Sequence, residues 1–263
     1  MHSWKSIAGL VAASAAVSAC AAVMVTNMPL PGEAAALAPS ETPVANTSPD
    51  APEGGEADAD VIVGNTEHSS GKHIALTFDD GPDPAWTPQV LDLLAQYGVQ
   101  ATFCLVGTNA EAHPDLVQQI VDAGHVLCGH TMTHQEGLPS LPVEDREAQI
   151  VNGLDAIRTA VPDAPVPYFR APFGAFTPAA DADPNSVQRI AARHGMRSLG
   201  WSIDTEDWTQ PGEDAIVSAM TQAGTNDVVL MHDGGGDRQQ TLAALERCLP
   251  WLVDQGYEFD LPA

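Results

Sequence analysis

The chain has 263 residues, 44% of them apolar and 17% charged, which is too hydrophobic for a disordered protein and suits one large domain or two small ones. Its 35 acidic and 10 basic residues give a formal charge of −25. A surface of that sign repels phosphate backbones, so nucleic-acid binding through a basic face is excluded. The excess is not a tail, because residues 71–263 alone hold 27 acidic and 9 basic side chains.

Residues 1–19 carry one cation, Lys5, followed by an apolar run that ends in small residues. That is the layout of a secretory signal peptide, and the run is short for a membrane span. Val17-Ser18-Ala19-Cys20 is similar to a bacterial lipoprotein box, in which Cys20 would be acylated and become the new N-terminus. The expected product is extracytoplasmic and held to the membrane through a lipid anchor, each buried acyl methylene contributing ~0.8 kcal/mol. The rival is an uncleaved anchor, since Ala21–Val25 extends the apolar run. Residues 20–70 are rich in Pro, Ala, Ser, Thr, Asp and Glu, bury too little to offset chain entropy, and read as a disordered acidic tether. Residues 71–263 then form the functional domain.

From Lys72 onward strands alternate with amphipathic helices. A strand at 73–78 leads to a helix opened by Thr87-Pro88 and stopped by Gly98; a strand at 101–106 leads to a helix from Pro114 stopped by Gly124. Further strands are expected at 125–128, 166–170, 197–203, 227–231 and 257–261, with helices near 143–160, 186–194, 213–222 and 239–255. Strands joined by helices run parallel with right-handed crossovers. About seven of them predict an α/β fold, a distorted and incomplete (β/α) barrel. Three cysteines follow Cys20. Cys104 and Cys128 fall on successive strands, where an exported protein can bridge them; the state of Cys248 stays open.

Ligand sites in parallel α/β folds lie at the carboxyl ends of the strands. Standing there are Asp79-Asp80-Gly81-Pro82, His130-Thr131-Met132-Thr133-His134, Arg170-Ala171-Pro172-Phe173, Asp204 to Trp208, and Leu230 to Asp233. Taken singly each has an ordinary explanation: Asp-Asp-Gly-Pro makes turns, and two of nine histidines fall four apart easily. Their convergence on one rim is what chance does not supply.

Asp80, His130 and His134 offer one oxygen and two nitrogen ligands with a position left open. That set suits catalytic Zn²⁺, with Co²⁺ or another divalent ion also accommodated. Such an ion makes water more acidic and polarises a carbonyl, chemistry that favours amide or ester hydrolysis. Asp79, whose side chain diverges from that of Asp80, would be the general base held by Arg170, and His232 the acid that protonates the leaving amine. Asp207 would orient Arg170 or raise the pKa of His232. A backbone N–H near Phe173 could serve a developing oxyanion.

These motifs, in this order, resemble the polysaccharide deacetylases of carbohydrate esterase family four, whose shared unit is the NodB-homology domain. The resemblance runs over residues 72–261 and rests on Thr77-Phe78-Asp79-Asp80-Gly81-Pro82, His130-Thr131-x-x-His134, Arg170-x-Pro172-Phe173, Trp201-Ser202-x-Asp204-x-x-Asp207-Trp208 and Leu230-x-His232-Asp233. It implies metal-dependent removal of acetyl groups from N-acetylglucosamine polymers, peptidoglycan strands or acetylated xylan. It also implies that Trp201, Trp208 and Leu230 line the groove for the acetyl methyl. Phe173 stands where the family often has tyrosine, which removes a hydroxyl. The expected partner is therefore an acetylated polysaccharide. The rival readings are an O-acetyl esterase on xylan and a noncatalytic glycan-binding surface protein.

Overall fold

The computed structural model describes residues 59–68, 70–178 and 183–263. The expected signal peptide, Cys20 and the tether up to residue 58 lie outside the described residues. Strands β1 (Ile62–Val63), β2 (His73–Asp79) and β3 (Thr102–Leu105) are followed by β4 (Val126–Gly129), β5 (Tyr168–Phe169), β6 (Arg197–Leu199), β7 (Ile203–Asp204), β8 (Asp227–His232) and β9 (Glu258–Phe259). Between them run α1 (Thr87–Tyr97), α2 (Gly107–Ala112), α3 (Pro114–Asp122), α4 (Val143–Ala160), α5 (Val187–Arg193), α6 (Glu213–Met220) and α7 (Gln239–Asp254). Pro at the first turns of α1 and α3 and left-handed Gly98 (φ 64°) after α1 set these boundaries as the sequence predicts.

Every named pairing is parallel, and eight strands run in the order β1-β6-β5-β4-β3-β2-β8-β7, with β9 also on β2. The sheet must curl. Leu199 ends β6 near one edge and Ile203 begins β7 at the other, yet four Cα–Cα steps reach at most ~15 Å. The result is the incomplete barrel expected, with two corrections. The strand foreseen at 197–203 is two strands, because Gly200-Trp201-Ser202 crosses the open seam. The stretch foreseen as tether up to residue 70 contains β1, which pairs with β6 through Ile62 and Val63. That segment is tied down by long-range contacts: an Asp60–Arg189 pair at 2.7 Å, a bridge from Thr66 to Pro262, and His68 Nδ1 2.6 Å from Asp260 Oδ2. Composition alone does not register such partners.

Strand alternation divides the core. Ile74, Leu76, Phe78, Phe103, Leu127, Phe169, Val229 and Met231 face the helices and pack with Leu94, Ile120, Ile157, Ile190 and Leu245. Ala75, Cys104, Cys128, Tyr168, Leu199 and Val228 form a separate interior cluster. Because successive side chains alternate, counting on by twos from the interior set reaches Thr77 and Asp79, His130, Arg170, Trp201, and Leu230 and His232. Opposite one another in the β3–β4 register, Cys104 and Cys128 form a disulfide, and Cys248 is free and buried in α7. Among the described residues no helix is long and apolar enough to cross a membrane.

Candidate active site

At the carboxyl ends of β2 and β8 the register pairs Asp79 with His232, so two ionisable side chains project from neighbouring strands into one cavity. This cavity of about 310 Å³ is lined by Asp79, Asp80, His130, His134, Phe173, Trp201, Trp208, Leu230 and His232 among others. The backbone around it is strained: Asp80, Thr131, His134 and Phe173 all carry positive φ, between 54° and 73°. Non-glycine residues adopt that region at a cost, and such strain gathers at functional sites.

Asp80 Oδ1 lies 3.4 Å from His130 Nε2 and 3.2 Å from His134 Nε2. It is buried and has no hydrogen-bond partner. A carboxylate oxygen in that position lacks what burial normally requires, and the gaps match those between ligands ~2.1 Å from one tetrahedral ion. The residues present therefore fit a divalent metal. His130 Nδ1 donates to Arg170 O at 2.7 Å, which fixes the tautomer and leaves Nε2 with its lone pair facing Asp80, an arrangement common among ligating histidines. Burial opposes the charge on Asp80, but its contact with His130 and the charges of His130, His232 and His134 hold the carboxyl well below its ordinary value. For His130 burial is outweighed by Asp79 and Asp80, and its pKa rises; for His134 burial prevails, and its pKa falls.

Arg170 is fully buried and acts as the floor of the site. Its Nη1 donates to Asp79 Oδ1 at 2.7 Å and to Thr77 Oγ1 at 2.8 Å, Nη2 donates to Gly200 O at 2.8 Å, and its guanidinium carbon lies 5.5 Å from the Trp201 ring centre. Asp79 is thus held with one oxygen on Arg170 and the other 3.7 Å from His130 Nε2. Of the two partners considered for Asp207, Arg170 makes no hydrogen bond or ion pair with it among the described residues, and His232 does. Asp207 Oδ1 lies 2.7 Å from His232 Nδ1, and its Oδ2 accepts from His232 N–H at 3.0 Å and Thr241 Oγ1 at 2.7 Å. Burial would lower the pKa of His232, but the Asp207 carboxylate outweighs it and raises it. That favours a protonated imidazole, as an acid requires.

Phe173 and Trp208 are exposed, and the Phe173 ring stands 4.8 Å from that of His134. Gly174 and Ala175 donate their N–H groups to Ala171 O and Pro172 O, each at 3.0 Å, whereas Phe173 N–H has no acceptor among the described residues. Trp201 and Leu230 complete the wall. Sequence reasoning placed Asp204 on the rim without a role and missed Arg238; both line the cavity. It assigned nothing to Asp233, which packs beneath Asp79-Asp80-Gly81. Asp233 N–H donates to Asp79 O at 3.1 Å and its Oδ2 accepts from Thr87 Oγ1. Burial pushes this carboxyl up to about 7. A Cβ on Gly81 would fall 2.5 Å from its oxygens, so any side chain there would displace the buried Asp233 carboxylate. A Gly-Gly-Gly run after His232 was the available signal, because a triple glycine announces close approach of backbone to a neighbour.

Residues 66–199 match the family model described as polysaccharide deacetylase. A chitooligosaccharide deacetylase of Sinorhizobium fredii is 39% identical over 195 residues, covering 70% of this chain and 87% of that one. A peptidoglycan-N-acetylglucosamine deacetylase of Bacillus cereus is 42% identical over 191 residues, covering 72% and 85%. Among solved structures, a family 4 carbohydrate esterase from Streptomyces lividans in complex with acetate superposes with a TM-score of 0.65 at 32% identity, over 73% of this chain and 94% of that one.

Proposed function

Because the chain belongs to the polysaccharide deacetylase family, and so is a hydrolase of N-acetyl amide bonds, we propose that it removes acetyl groups from an N-acetylglucosamine polymer outside the cytoplasm. We propose further that it does so while tethered by a lipid on Cys20. The observation that carries the site assignment is the meeting of Asp79 and His232 on adjacent strands beside the Asp80–His130–His134 group, in which Asp80 Oδ1 has no hydrogen-bond partner.

Asp80, His130 and His134 would hold the divalent ion, Zn²⁺ being the best match to one oxygen and two nitrogens. Bound there, it supplies Lewis acidity toward the acetyl carbonyl and makes water more acidic. Asp79 takes the proton of the attacking water at its carboxylate, which Arg170 holds and orients. Phe173 N–H, free of other partners, donates to the oxygen on which charge develops. His232 delivers a proton to the departing amine, and Asp207, bonded to its Nδ1, raises its pKa and fixes the ring. Leu230 and Trp201 bound the space for the acetyl methyl, while Trp208 and Phe173 offer exposed rings for sugar faces.

The test is acetate release from chitooligosaccharides, peptidoglycan and acetylxylan, with and without chelator and added Zn²⁺ or Co²⁺. Asp79→Asn is expected to lose turnover and keep metal binding by calorimetry, whereas His130→Ala loses both. Release confined to acetylxylan would replace the reading with an O-acetyl esterase, and chelator-insensitive glycan binding without acetate would replace it with a binding protein.

A further inference from the structure

Arg238 is 3% exposed, yet its side chain lines the same cavity as Asp79, Asp80 and His232. A guanidinium so placed keeps its charge and needs hydrogen-bond acceptors and a counter-ion. Its Nε donates to Gly234 O at 2.6 Å and its Nη1 to Asp237 O at 3.3 Å, both neutral carbonyls, and Nη2 has no acceptor among the described residues. The carboxylate next door is engaged, because Asp237 Oδ1 accepts from Gln239 N–H at 2.9 Å. Arg146, Arg170, Arg189, Arg193 and Arg247 each have a carboxylate partner within 4 Å. Arg158, Arg197 and Arg238 have none among the described residues, and of these three only Arg238 is buried, although acidic side chains are in large excess in this chain.

Two backbone anchors therefore fix the fork and leave Nη2 unengaged on a residue that lines the cavity. We propose that this group reads an anion on the substrate: Arg238 Nη2 receives a carboxylate carried by the glycan beside the acetylated amine. The proposal rests on the deacetylase reading and narrows its substrate to a carboxylated N-acetylglucosamine polymer of the peptidoglycan type, whose lactyl ethers bear free carboxylates wherever no stem peptide is attached, over neutral chitin. Without Arg238 a carboxylated glycan would meet Asp79, Asp80 and Asp204 in the cavity, and like charges at close range oppose binding. A planar fork also suits a carboxylate better than an ammonium does.

The experiment uses the metal-loaded protein and one pair of probes, a GlcNAc–MurNAc tetrasaccharide and the same molecule with its lactyl groups methyl-esterified. The expected result is a kcat/KM ratio of acid to ester of about tenfold or more in the parent protein, the scale of one charge-assisted hydrogen bond. The ratio falls toward one in Arg238→Gln, lies between in Arg238→Lys, and shrinks with added salt. An unchanged ratio in Arg238→Gln, even with both rates lowered, would overturn the proposal and leave Arg238 as a clamp on the glycine turn. If Arg238→Gln does not fold, a ratio of one in the parent protein overturns it equally. Calorimetric titration of both probes onto Asp79→Asn keeps the two readings apart. Should the parent release no acetate from either probe, the deacetylase reading fails, and charge-independent binding in the titration then rejects the role of Arg238.

Discussion

Replacing Arg170 with Met keeps most of the buried volume and removes the cation on which Asp79 depends. The pair is separated by 2.7 Å, with the Arg170 side chain fully buried and that of Asp79 4% exposed. At an effective dielectric of ~20 the gross attraction at that distance is about 6 kcal/mol. Desolvation offsets part of it in the native protein, but removing one partner leaves a buried carboxylate uncompensated, which costs about 3–5 kcal/mol. Asp79→Asn leaves the guanidinium uncompensated in turn, while the double variant leaves no buried charge at this point. Urea unfolding of the four proteins at pH 7.5 should therefore show a coupling of ~2 kcal/mol or more, with the double variant more stable than the sum of the singles implies. Activity should be lost in the two variants that lack the Asp79 carboxylate and should fall in Arg170→Met, where the base remains but nothing holds it in place. Additivity within ~0.5 kcal/mol would refute the idea that Arg170 is held chiefly by the Asp79 charge.

Three other outcomes follow from the same geometry. In Asp207→Asn the opposition between burial and the carboxylate is resolved in favour of burial, so the pKa of His232 falls; the high-pH limb of kcat/KM, where the acid is lost, should move to lower pH, and an unmoved limb would deny His232 that role. His125 is buried, accepts Ala101 N–H on Nδ1 at 3.2 Å, and is held down to about 4 by burial. Its neutral form stabilises the fold fully above the unfolded pKa of ~6.5. That contribution is lost as pH falls toward 4, by about 2 kcal/mol between pH 7.5 and pH 5. His125→Phe should show a correspondingly smaller loss in urea midpoints at the two pH values. Replacing Cys104 and Cys128 together by Val and Ala opens a crosslink of sequence separation 24 and should cost about 3 kcal/mol; an unchanged denaturation midpoint would show that the bridge contributes nothing.

Local chemistry determined the helix limits and the face on which the reactive groups lie. Pro88, Gly98 and Pro114 act on their own backbone, and alternation along a strand needs no partner to place Asp79, His130, Arg170 and His232 on the interior side. Their position at strand ends is likewise set by sequence order, once the strands are parallel. What the sequence left open depends on groups far apart in the chain. β1 exists because β6 offers it a ladder, and 197–203 divides because the chain crosses the open seam of the curled sheet. Asp207 could face Arg170 or His232 until folding put it 2.7 Å from His232 Nδ1, and Asp233 and Arg238 acquire meaning only from Gly81, Thr87 and the cavity. Backbone preference is a property of a few neighbouring residues, whereas burial, charge pairing and an unsatisfied donor are properties of the whole packed molecule, and only tertiary structure decides them.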